Sequence, residues 1–308
     1  MSLSIIFLGT AGSVPTTMRS LPAIVIQRKG EIILFDCGES AQRQMLKAGL
    51  SFNRNMKIFI THMHGDHILG LPGLIQTMSL LDRTKKLVIY GPVGLEDFIS
   101  AIKETVQFTL TFPLEIAEIK DEGIVCREKE YKIYAARANH VTTAFAYSLV
   151  EKLRPGKFYP EKAKELGVPE GVLWSKLQHG ASIKLQNGSI VESKQVVGPS
   201  RSGRKIVYTG DSRFSKSLVE LAKNADLLIH DCTFDDELAE RAEEDGHSTP
   251  TQAAKTAKKA NAKQLILTHI SARYKTPDLL QSQAAKDFSK VDVAKDFMRI
   301  SLPLPDVT

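Results

Sequence analysis

The sequence predicts an α/β protein with the layout of a four-layer αββα sandwich. Short apolar runs typical of strands alternate with segments of helical spacing through the first half of the chain, and the same alternation returns in the second half. Hydrophobic residues make up 43% and charged residues 25% of the 308 positions, as in an ordinary globular protein. Two similar halves of mixed sheet plus helices favour this layered architecture.

The first half alternates strands and helices. Strands are predicted at 4–8, 23–27, 31–35, 57–60 and 87–90, and helices at 39–48, 70–81 and 95–105. Gly49 ends the first of these helices. The following segment, 111–150, predicts a β-meander with turns near 121–123 and 128–130.

A polar segment, residues 152–178, separates the two halves. It holds three prolines, three glycines and many lysines, and it is too polar to bury a core of its own. We therefore predict a single domain over residues 1–308, made of two similar halves (1–151 and 179–308), with a protruding flexible arm inserted at about 152–178.

The second half repeats the strand–helix order. Strands are predicted at 181–185, 205–208, 226–230 and 264–268, and helices at 215–223, 236–244, 250–260 and 276–288. The helix at 250–260 has a well-defined start, since Thr249 is a good N-cap residue and Pro250 suits the first helical position.

Four metal-binding side chains follow the short strand predicted at 57–60. Residues 61–67 read Thr-His-Met-His-Gly-Asp-His, which places His62, His64, Asp66 and His67 within six positions. Imidazole and carboxylate groups at these spacings suit zinc and related divalent ions. A lone histidine is more often a structural polar residue, but a quartet of this density predicts a metal site.

Three further candidate ligands, His140, Asp211 and His269, stand at the ends of predicted strands. The loops that follow those strands should gather at one edge of the sandwich. The full set comprises five histidines and two aspartates, enough for two zinc ions with three private ligands each and one shared carboxylate. Two such ions about 3.5–4 Å apart would activate a water and stabilise a displacement at phosphorus.

The His-x-His-x-Asp-His run, the later single ligands and the layered layout resemble the metallo-β-lactamase superfamily. More specific motifs resemble the tRNA 3′-processing endoribonuclease family, the short form of tRNase Z (ribonuclease Z). Residues 35–44 (FDCGESAQRQ) resemble that family's FDCGEGTQRQ element, 228–234 (LIHDCTF) its HEAT loop, and 246–249 (GHST) its HST loop. The insertion at 152–178 resembles the family's flexible arm, so the likeness covers essentially the whole chain.

The resemblance implies a role for each candidate site residue. Two Zn²⁺ ions per subunit would be held, one by His62, His64 and His140 and the other by Asp66, His67 and His269, with Asp211 between them. Asp66 would also orient the hydroxide that attacks phosphorus. His247 would be the general acid for the leaving 3′-oxygen, polarised by Asp231, because an imidazole paired with a carboxylate keeps a raised pKa. The alternative for His247 is that it only neighbours the start of the next helix. His230 stands at the end of an apolar strand, a place more typical of a structural histidine than of one that takes part in the reaction.

The arm carries lysines with aromatic residues between them. Its candidate substrate-binding residues are Lys157, Phe158, Lys162, Lys164 and Lys176. Such a basic and aromatic projection fits sequence-independent binding of a folded RNA backbone. Glutamates dilute this charge, so a solvated surface helix fits the residues equally well. The resemblance favours tRNA, and it implies a homodimer, because in that family the arm of one subunit grips tRNA presented to the other subunit's active site.

The predicted function is a zinc-dependent endoribonuclease that removes the 3′ trailer of precursor tRNA. Cleavage after the discriminator nucleotide would leave a 3′-hydroxyl on the tRNA and a 5′-phosphate on the trailer. The alternative is a small-molecule phosphodiesterase or arylsulfatase-type metallo-hydrolase of the same superfamily. One departure bears on the mechanism, since Asp231 stands where the family has a glutamate and is one methylene shorter.

Composition places this enzyme in the cytoplasm. The three cysteines are an odd number without the spacing of a disulfide framework, which predicts a reducing compartment. No apolar run approaches the ~20 residues that a membrane-spanning helix needs, so no membrane partner is expected. The net charge of +6 permits a polyanionic partner without demanding one.

Overall fold

A computed structural model describes residues 3–305 and contains two seven-stranded sheets. Its strands, in chain order, are β1 (Leu3–Gly9), β2 (Ala11–Gly12), β3 (Ala23–Arg28), β4 (Glu31–Phe35), β5 (Met56–Phe59), β6 (Leu87–Pro92), β7 (Leu114–Ile119), β8 (Gly123–Arg127), β9 (Tyr131–Arg137), β10 (Phe145–Glu151), β11 (Ile183–Lys184), β12 (Ile190–Val191), β13 (Lys205–Tyr208), β14 (Leu227–Asp231), β15 (Leu265–Thr268), β16 (Ile270–Ser271), β17 (Val291–Val293) and β18 (Arg299–Leu302).

The helices are short. They are α1 (Ala41–Lys47), α2 (Gly65–Ile68), α3 (Leu71–Leu80), α4 (Leu95–Val106), α5 (Pro160–Glu165), α6 (Val172–Gln178), α7 (Ser193–Val196), α8 (Lys216–Ala222), α9 (Ala239–Asp245), α10 (Pro250–Lys259) and α11 (Asp278–Ala285), with a 3₁₀ turn at Asp236–Leu238. Thr249 caps α10 as predicted, in a reciprocal capping box with Gln252. Within residues 3–305, no helix is long and apolar enough to cross a membrane.

The first sheet has the strand order β18-β1-β3-β4-β5-β6-β7. Its strands β4, β5, β6 and β7 run parallel, whereas β1, β3 and β4 are antiparallel neighbours. Phe35 at the end of β4 lies level with Phe59 at the end of β5. The loops that leave these two strands therefore start side by side at one edge of the sheet.

The second sheet has the order β17-β15-β14-β13-β10-β9-β8. Its strands β13, β14, β15 and β17 are parallel, and β10 runs antiparallel to β13. Asp231 in β14 lies level with Thr268 in β15. The residues that follow these strands again share one edge.

The predicted β-meander over 111–150 is confirmed for three of the four strands in this segment, since β8, β9 and β10 are consecutive neighbours in one sheet, and it is wrong for β7. Strand β7 closes the first sheet, whereas β8, β9 and β10 belong to the second. The predicted turn near 121–123 is the place where the chain passes from one sheet to the other. A meander prediction uses only neighbouring strands, while β7 pairs with β6, which precedes it by a whole helix.

Side chains from both sheets form the central apolar layer. Phe35 of the first sheet stacks on Tyr147 of the second at 5.8 Å between ring centroids, and Phe59 meets the same ring edge-on at 5.4 Å. Helices α1 and α3 pack on the outer side of the first sheet, and α8, α10 and α11 on the outer side of the second. The four-layer αββα sandwich is confirmed.

The chain divides into two compact units. The larger comprises residues up to Val150 together with Lys205–Pro303, and it contains both large sheets. The smaller, here called the arm unit, spans Glu151–Arg204 with Leu304 and Pro305. The predicted arm at 152–178 lies within this unit.

The arm unit has its own hydrophobic core, contrary to the expectation from segment 152–178 alone. Ala163, Val168 and Leu177 of that segment pack with residues beyond it: Ile183, Val191 and Val196. The missing apolar side chains come from the stretch after residue 178, which folds back as the β11–β12 hairpin and α7. The composition of residues 152–178 alone therefore underestimates the number of apolar side chains available to the core of this unit.

Candidate metal centre

The predicted ligands all follow ends of strands in the larger unit. His62 and His64 lie in the loop after β5, and Asp66 and His67 in the short helix α2 that this loop enters. The other three come from the second sheet. His140 follows β9, Asp211 follows β13 and His269 follows β15.

One ligand group consists of His62, His64, His140 and Asp211, whose ligand atoms all lie within 4.8 Å of one another. Nε2 of His140 is 3.3 Å from Nδ1 of His64. Nε2 of His62 is 3.7 Å from Oδ2 of Asp211. Three imidazole nitrogens and a carboxylate oxygen thus face one point, as zinc ligands do.

A second group consists of Asp66, His67, Asp211 and His269. Oδ2 of Asp211 is 3.3 Å from Nε2 of His67 and 3.4 Å from Nε2 of His269. Oδ2 of Asp66 is 3.4 Å from Nε2 of His67 and 3.3 Å from Nε2 of His269. Asp211 belongs to both groups, so one carboxylate lies between two candidate ion positions.

The donor atoms fit a bound cation. Nε2 of His62 and Oδ1 of Asp211 are buried and have no hydrogen-bond partner. Burying an unpaired polar atom costs folding free energy unless a bound ion serves as its partner. Burial and the neighbouring His67 lower the pKa of His62. Burial would raise the pKa of Asp211, but His269 and His67 hold it well below its usual range. A neutral imidazole and an ionised carboxylate are the forms that bind metal.

In three of the ligand histidines, the second ring nitrogen has a partner outside the ligand groups. Nδ1 of His67 bonds to Asp36 at 2.7 Å and Nδ1 of His269 to the Thr233 hydroxyl at 2.7 Å. Nδ1 of His140 bonds to the carbonyl oxygen of Gly246 at 2.8 Å. Such contacts fix the tautomer and the orientation of a metal-ligating imidazole.

Asp36 contacts a ligand of the site, and the sequence analysis did not predict this role. Its buried carboxylate accepts hydrogen bonds from the backbone and hydroxyl of Thr61, from His67 and from the Tyr208 hydroxyl. Its backbone has φ of 56°, the left-handed region. The sequence signal that could have identified Asp36 is its position directly after strand β4, within the FDCG motif. The sequence analysis used this motif only to recognise the family.

His247 and Asp231 adjoin the second ligand group. Nδ1 of His247 is 3.0 Å from Oδ2 of Asp231, so the shorter side chain at position 231 does reach the imidazole. Burial would lower the pKa of His247, but the carboxylates of Asp231 and Asp211 raise it to about 9. The His247 ring lies 5.1 Å from that of His269 and 5.4 Å from that of His140. The pair can therefore hold a proton next to both ligand groups.

His230 occupies a different environment. It is fully buried in β14, and its Nδ1 bonds to the carbonyl oxygen of Asp231 at 2.8 Å. Among the residues described, it belongs to neither ligand group. This placement suits a structural histidine.

The candidate substrate-binding residues lie in the arm unit. Lys157, Lys162, Lys164 and Lys176 are exposed, while Phe158 is half-buried against the core of that unit. Phe158 packs on Trp174 at 5.2 Å between ring centroids, and Lys162 lies over the ring of Tyr159 at 4.9 Å. The lysines present charge to solvent, and Phe158 contributes to the packing of the unit.

Two family models match the chain: "Anti-Pycsar protein Apyc1" over residues 3–154 and "Beta-lactamase superfamily domain" over residues 174–270. Ribonuclease Z of Haloferax volcanii is 44% identical over 308 residues, covering 99% of this chain and 97% of the relative. Ribonuclease Z of Nitrosopumilus maritimus is 45% identical over 300 residues, covering 97% and 100%.

Solved structures agree with these relatives. The crystal structure of human tRNase Z, short form, matches with a TM-score of 0.73 and 33% identity, covering 97% of this chain and 99% of that chain. The metallo-β-lactamase fold protein YhfI from Bacillus subtilis matches with a TM-score of 0.69 and 20% identity, covering 97% and 99%. The second likeness concerns the fold alone.

Proposed function

The chain belongs to the ribonuclease Z family, and from this premise we propose that it removes the 3′ trailer of precursor tRNA as a metal-dependent endoribonuclease. The cut falls after the discriminator nucleotide and leaves a 3′-hydroxyl on the tRNA and a 5′-phosphate on the trailer. The observation that carries the proposal is the pair of ligand groups that share Asp211, with His247 next to them.

Two zinc ions per subunit are the proposed cofactors. One group offers His62, His64 and His140, the other offers Asp66, His67 and His269, and Asp211 is common to both. Nitrogen and carboxylate donors without thiolates suit Zn²⁺. When bound, such ions supply a water of lowered pKa and positive charge beside the phosphate oxygens.

Three residues of the chain handle the water and the proton. Asp66, whose Oδ2 faces the second ligand group, orients the attacking water toward phosphorus. As the bond from phosphorus to the 3′-oxygen breaks, that oxygen takes the proton from Nε2 of His247. Nδ1 of the same ring stays bonded to Asp231, which keeps the imidazole oriented and favours its charged form.

The arm unit provides the proposed tRNA-binding surface. Its exposed lysines (Lys157, Lys162, Lys164, Lys176) match the spaced phosphates of an RNA backbone. We propose that the enzyme acts as a homodimer, with the arm of one subunit holding tRNA at the other subunit's active site. The side chains of Leu46, Leu69 and Leu80, on or between helices α1 to α3, are exposed and available for contact with a second copy.

We place the reaction in the cytoplasm. The three cysteines of the chain are free and buried, which suits a reducing compartment. No membrane partner is invoked.

The proposal predicts one metal-dependent cut in precursor tRNA. Purified protein should cleave a 5′-labelled precursor with a 3′ trailer once, next to the discriminator, and only when metal is bound, because the ions would supply the activated water and the positive charge at phosphorus. Product length would be read at single-nucleotide resolution, with a chelator arm and a zinc add-back arm. Intact RNA after zinc add-back, alongside hydrolysis of bis(p-nitrophenyl) phosphate, would contradict the RNA substrate and support the small-molecule alternative.

A further inference from the structure

The loop between β2 and β3, residues 13–20, contacts the second ligand group through its backbone. The Ser13 amide donates to Oδ2 of Asp66 at 2.9 Å. The same oxygen lies 3.3 Å from Nε2 of His269 and 3.4 Å from Nε2 of His67. This amide is therefore a partner from outside the ligand group, and it restrains the rotamer of the Asp66 carboxylate.

The residue before Ser13 contacts another ligand of the same group. A Cβ atom on Gly12 would lie 2.8 Å from Nδ1 of His269 and 2.8 Å from its carbonyl oxygen, so only glycine fits there. Strand β2 pairs with β16 directly after His269, with Ala11 level with Ile270. Two consecutive residues, Gly12 at the end of β2 and Ser13 at the start of the loop, thus lie against two ligands of one group, His269 and Asp66.

The conformation that directs the Ser13 amide is not a relaxed one. Ser13 has φ of 56°, in the left-handed region that is unfavourable for a residue with a Cβ atom. Such a conformation persists only where surrounding contacts enforce it. The loop must therefore be held at its far end.

A buried hydroxyl provides that support. The Arg19 guanidinium donates to Oγ1 of Thr10 at 2.7 Å and to the carbonyl oxygen of Ala294 at 2.7 Å. The fully buried Thr10 hydroxyl in turn donates to Oδ1 of Asp296 at 2.8 Å. The Ser20 amide donates to Oδ2 of the same carboxylate at 2.7 Å. Thr10 thus links a cation and an anion that together fix the end of the loop.

Within the loop, Thr16 closes a tight turn onto that end. Its amide donates to the carbonyl oxygen of Arg19 at 2.9 Å, and its hydroxyl accepts from the Arg19 amide at 2.9 Å. The turn transmits the position of Arg19 to Ser13 over a few residues. Thr16 lies three residues after Ser13, so a fixed turn at the far end of the loop limits the positions that Ser13 can take.

We infer that Thr10, Arg19 and Asp296 are positioning residues, which hold the Ser13 amide against Asp66 and so set the affinity and reactivity of the second ligand group. None of the three belongs to a ligand group, and each acts through the backbone of the loop. The kinetic part of this inference rests on the proposed function, whereas the metal-binding part does not.

The test compares Thr10→Val with Thr10→Ser. Valine removes the hydroxyl and leaves Arg19 and Asp296 without their shared partner, whereas serine keeps it. Zinc affinity is measured by competition with a chromophoric chelator, and kcat and KM with precursor tRNA. Thr10→Val should weaken one of two zinc-binding steps by about 10–100-fold, as loss of an outer-sphere partner does. Its kcat should fall with KM unchanged, and Thr10→Ser should match the wild type.

Arg83→Lys is the matched stability control. Arg83 is a buried arginine that donates to the carbonyl oxygens of Phe52, Arg54 and Lys86, at the amino ends of β5 and β6. Its variant should lower Tm and leave zinc affinity unchanged. Equal weakening of zinc binding in Arg83→Lys and Thr10→Val would overturn the inference, because general destabilisation would then explain both.

Thr16→Val covers the case in which Thr10→Val does not fold. Thr16 is exposed, so its variant loosens the turn without disturbing the core, and it should weaken the same zinc step by a smaller factor. Wild-type zinc affinity and kcat in the folded variant would overturn the inference. Should the wild type fail to cleave precursor tRNA, the proposed function fails, and the zinc affinities still decide the role of the loop.

Discussion

At the scale of single residues, the proposed mechanism makes proton transfer to the leaving oxygen depend on His247 and its bond to Asp231. The imidazole lies between two ligand histidines, and within residues 3–305 the carboxylate that it hydrogen-bonds is that of Asp231. Two backbone amides, those of Ser212 and Ser248, donate to the same Asp231 oxygen at 3.2 Å each. Asp231 is thus held as a fixed acceptor for the Nδ1 proton.

His247→Ala should lower the cleavage rate of precursor tRNA by about 10²–10⁴-fold, the usual effect of losing an acid–base group. Both candidate ion positions keep their private ligands, so zinc content should not change. Single-turnover cleavage and metal analysis of the same preparation check the two halves of the prediction. Loss of zinc from the variant would mean that His247 is a ligand rather than the acid.

Residue types and spacing predict the ligands, because the donor chemistry of His-x-His-x-Asp-His is local in sequence. The structure brings all seven predicted ligands into two adjoining groups. The residues that hold them could not be predicted in this way. Asp36 is 31 positions from His67, and Ser13 is 53 positions from Asp66. Their contacts follow from the sheet topology, and an aspartate or a backbone amide carries no distinguishing local signal.

At the scale of elements, local signals set the helices, whereas strand partners depend on the rest of the fold. The predicted helix at 250–260 matches α10 (Pro250–Lys259), since its capping box lies within four consecutive residues. The predicted meander holds for β8, β9 and β10 but not for β7, because alternation of apolar residues does not say which strand is the neighbour. The arm unit shows the same limit, since Leu177 finds core partners such as Ile183 and Val196 beyond the polar segment.

Replacing residues 155–200 by a four-residue Gly/Ser turn should weaken binding of precursor tRNA and spare hydrolysis of bis(p-nitrophenyl) phosphate. The junction suits such a turn, because Arg154 and Arg201 are antiparallel bridge partners with amide–carbonyl distances of 2.7 and 2.9 Å. Dissociation constants and small-substrate turnover would be measured on one preparation. Equal losses on both substrates would contradict a binding role for the arm unit.

A matched variant separates the effect of the positive charges of the arm unit from the effect of its fold. Changing Lys157, Lys162, Lys164 and Lys176 to glutamine keeps the core of the arm unit, because these side chains are exposed. If each contacts a phosphate, the slope of log K against log salt should shrink by up to about 4. An unchanged slope would assign tRNA binding to other parts of the chain.

At the scale of the whole molecule, the ligands come from the ends of strands in both sheets. The loop after β5 supplies His62, His64 and the entry to α2, and the second sheet supplies His140, Asp211 and His269. Neither half of the chain holds a complete group, because both groups share Asp211 of the second half and take their other ligands wholly or partly from the first. The metal centre therefore forms only when the two sheets pack together. The proposed binding of tRNA requires, in addition, the arm unit of a second subunit.

The proposed exchange of arms between subunits predicts that two defective proteins restore each other's activity. His247→Ala subunits keep the arm but lack the acid, and subunits with the 155–200 replacement keep the site but lack the arm. Random exchange makes half of the dimers mixed, and each mixed dimer has one intact arm facing one intact site. The mixture should therefore regain about a quarter of wild-type cleavage, measured after subunit exchange and with dimer formation followed by light scattering. If each arm serves its own subunit, the mixed dimers stay as inactive as their parents, and the homodimer mechanism is wrong.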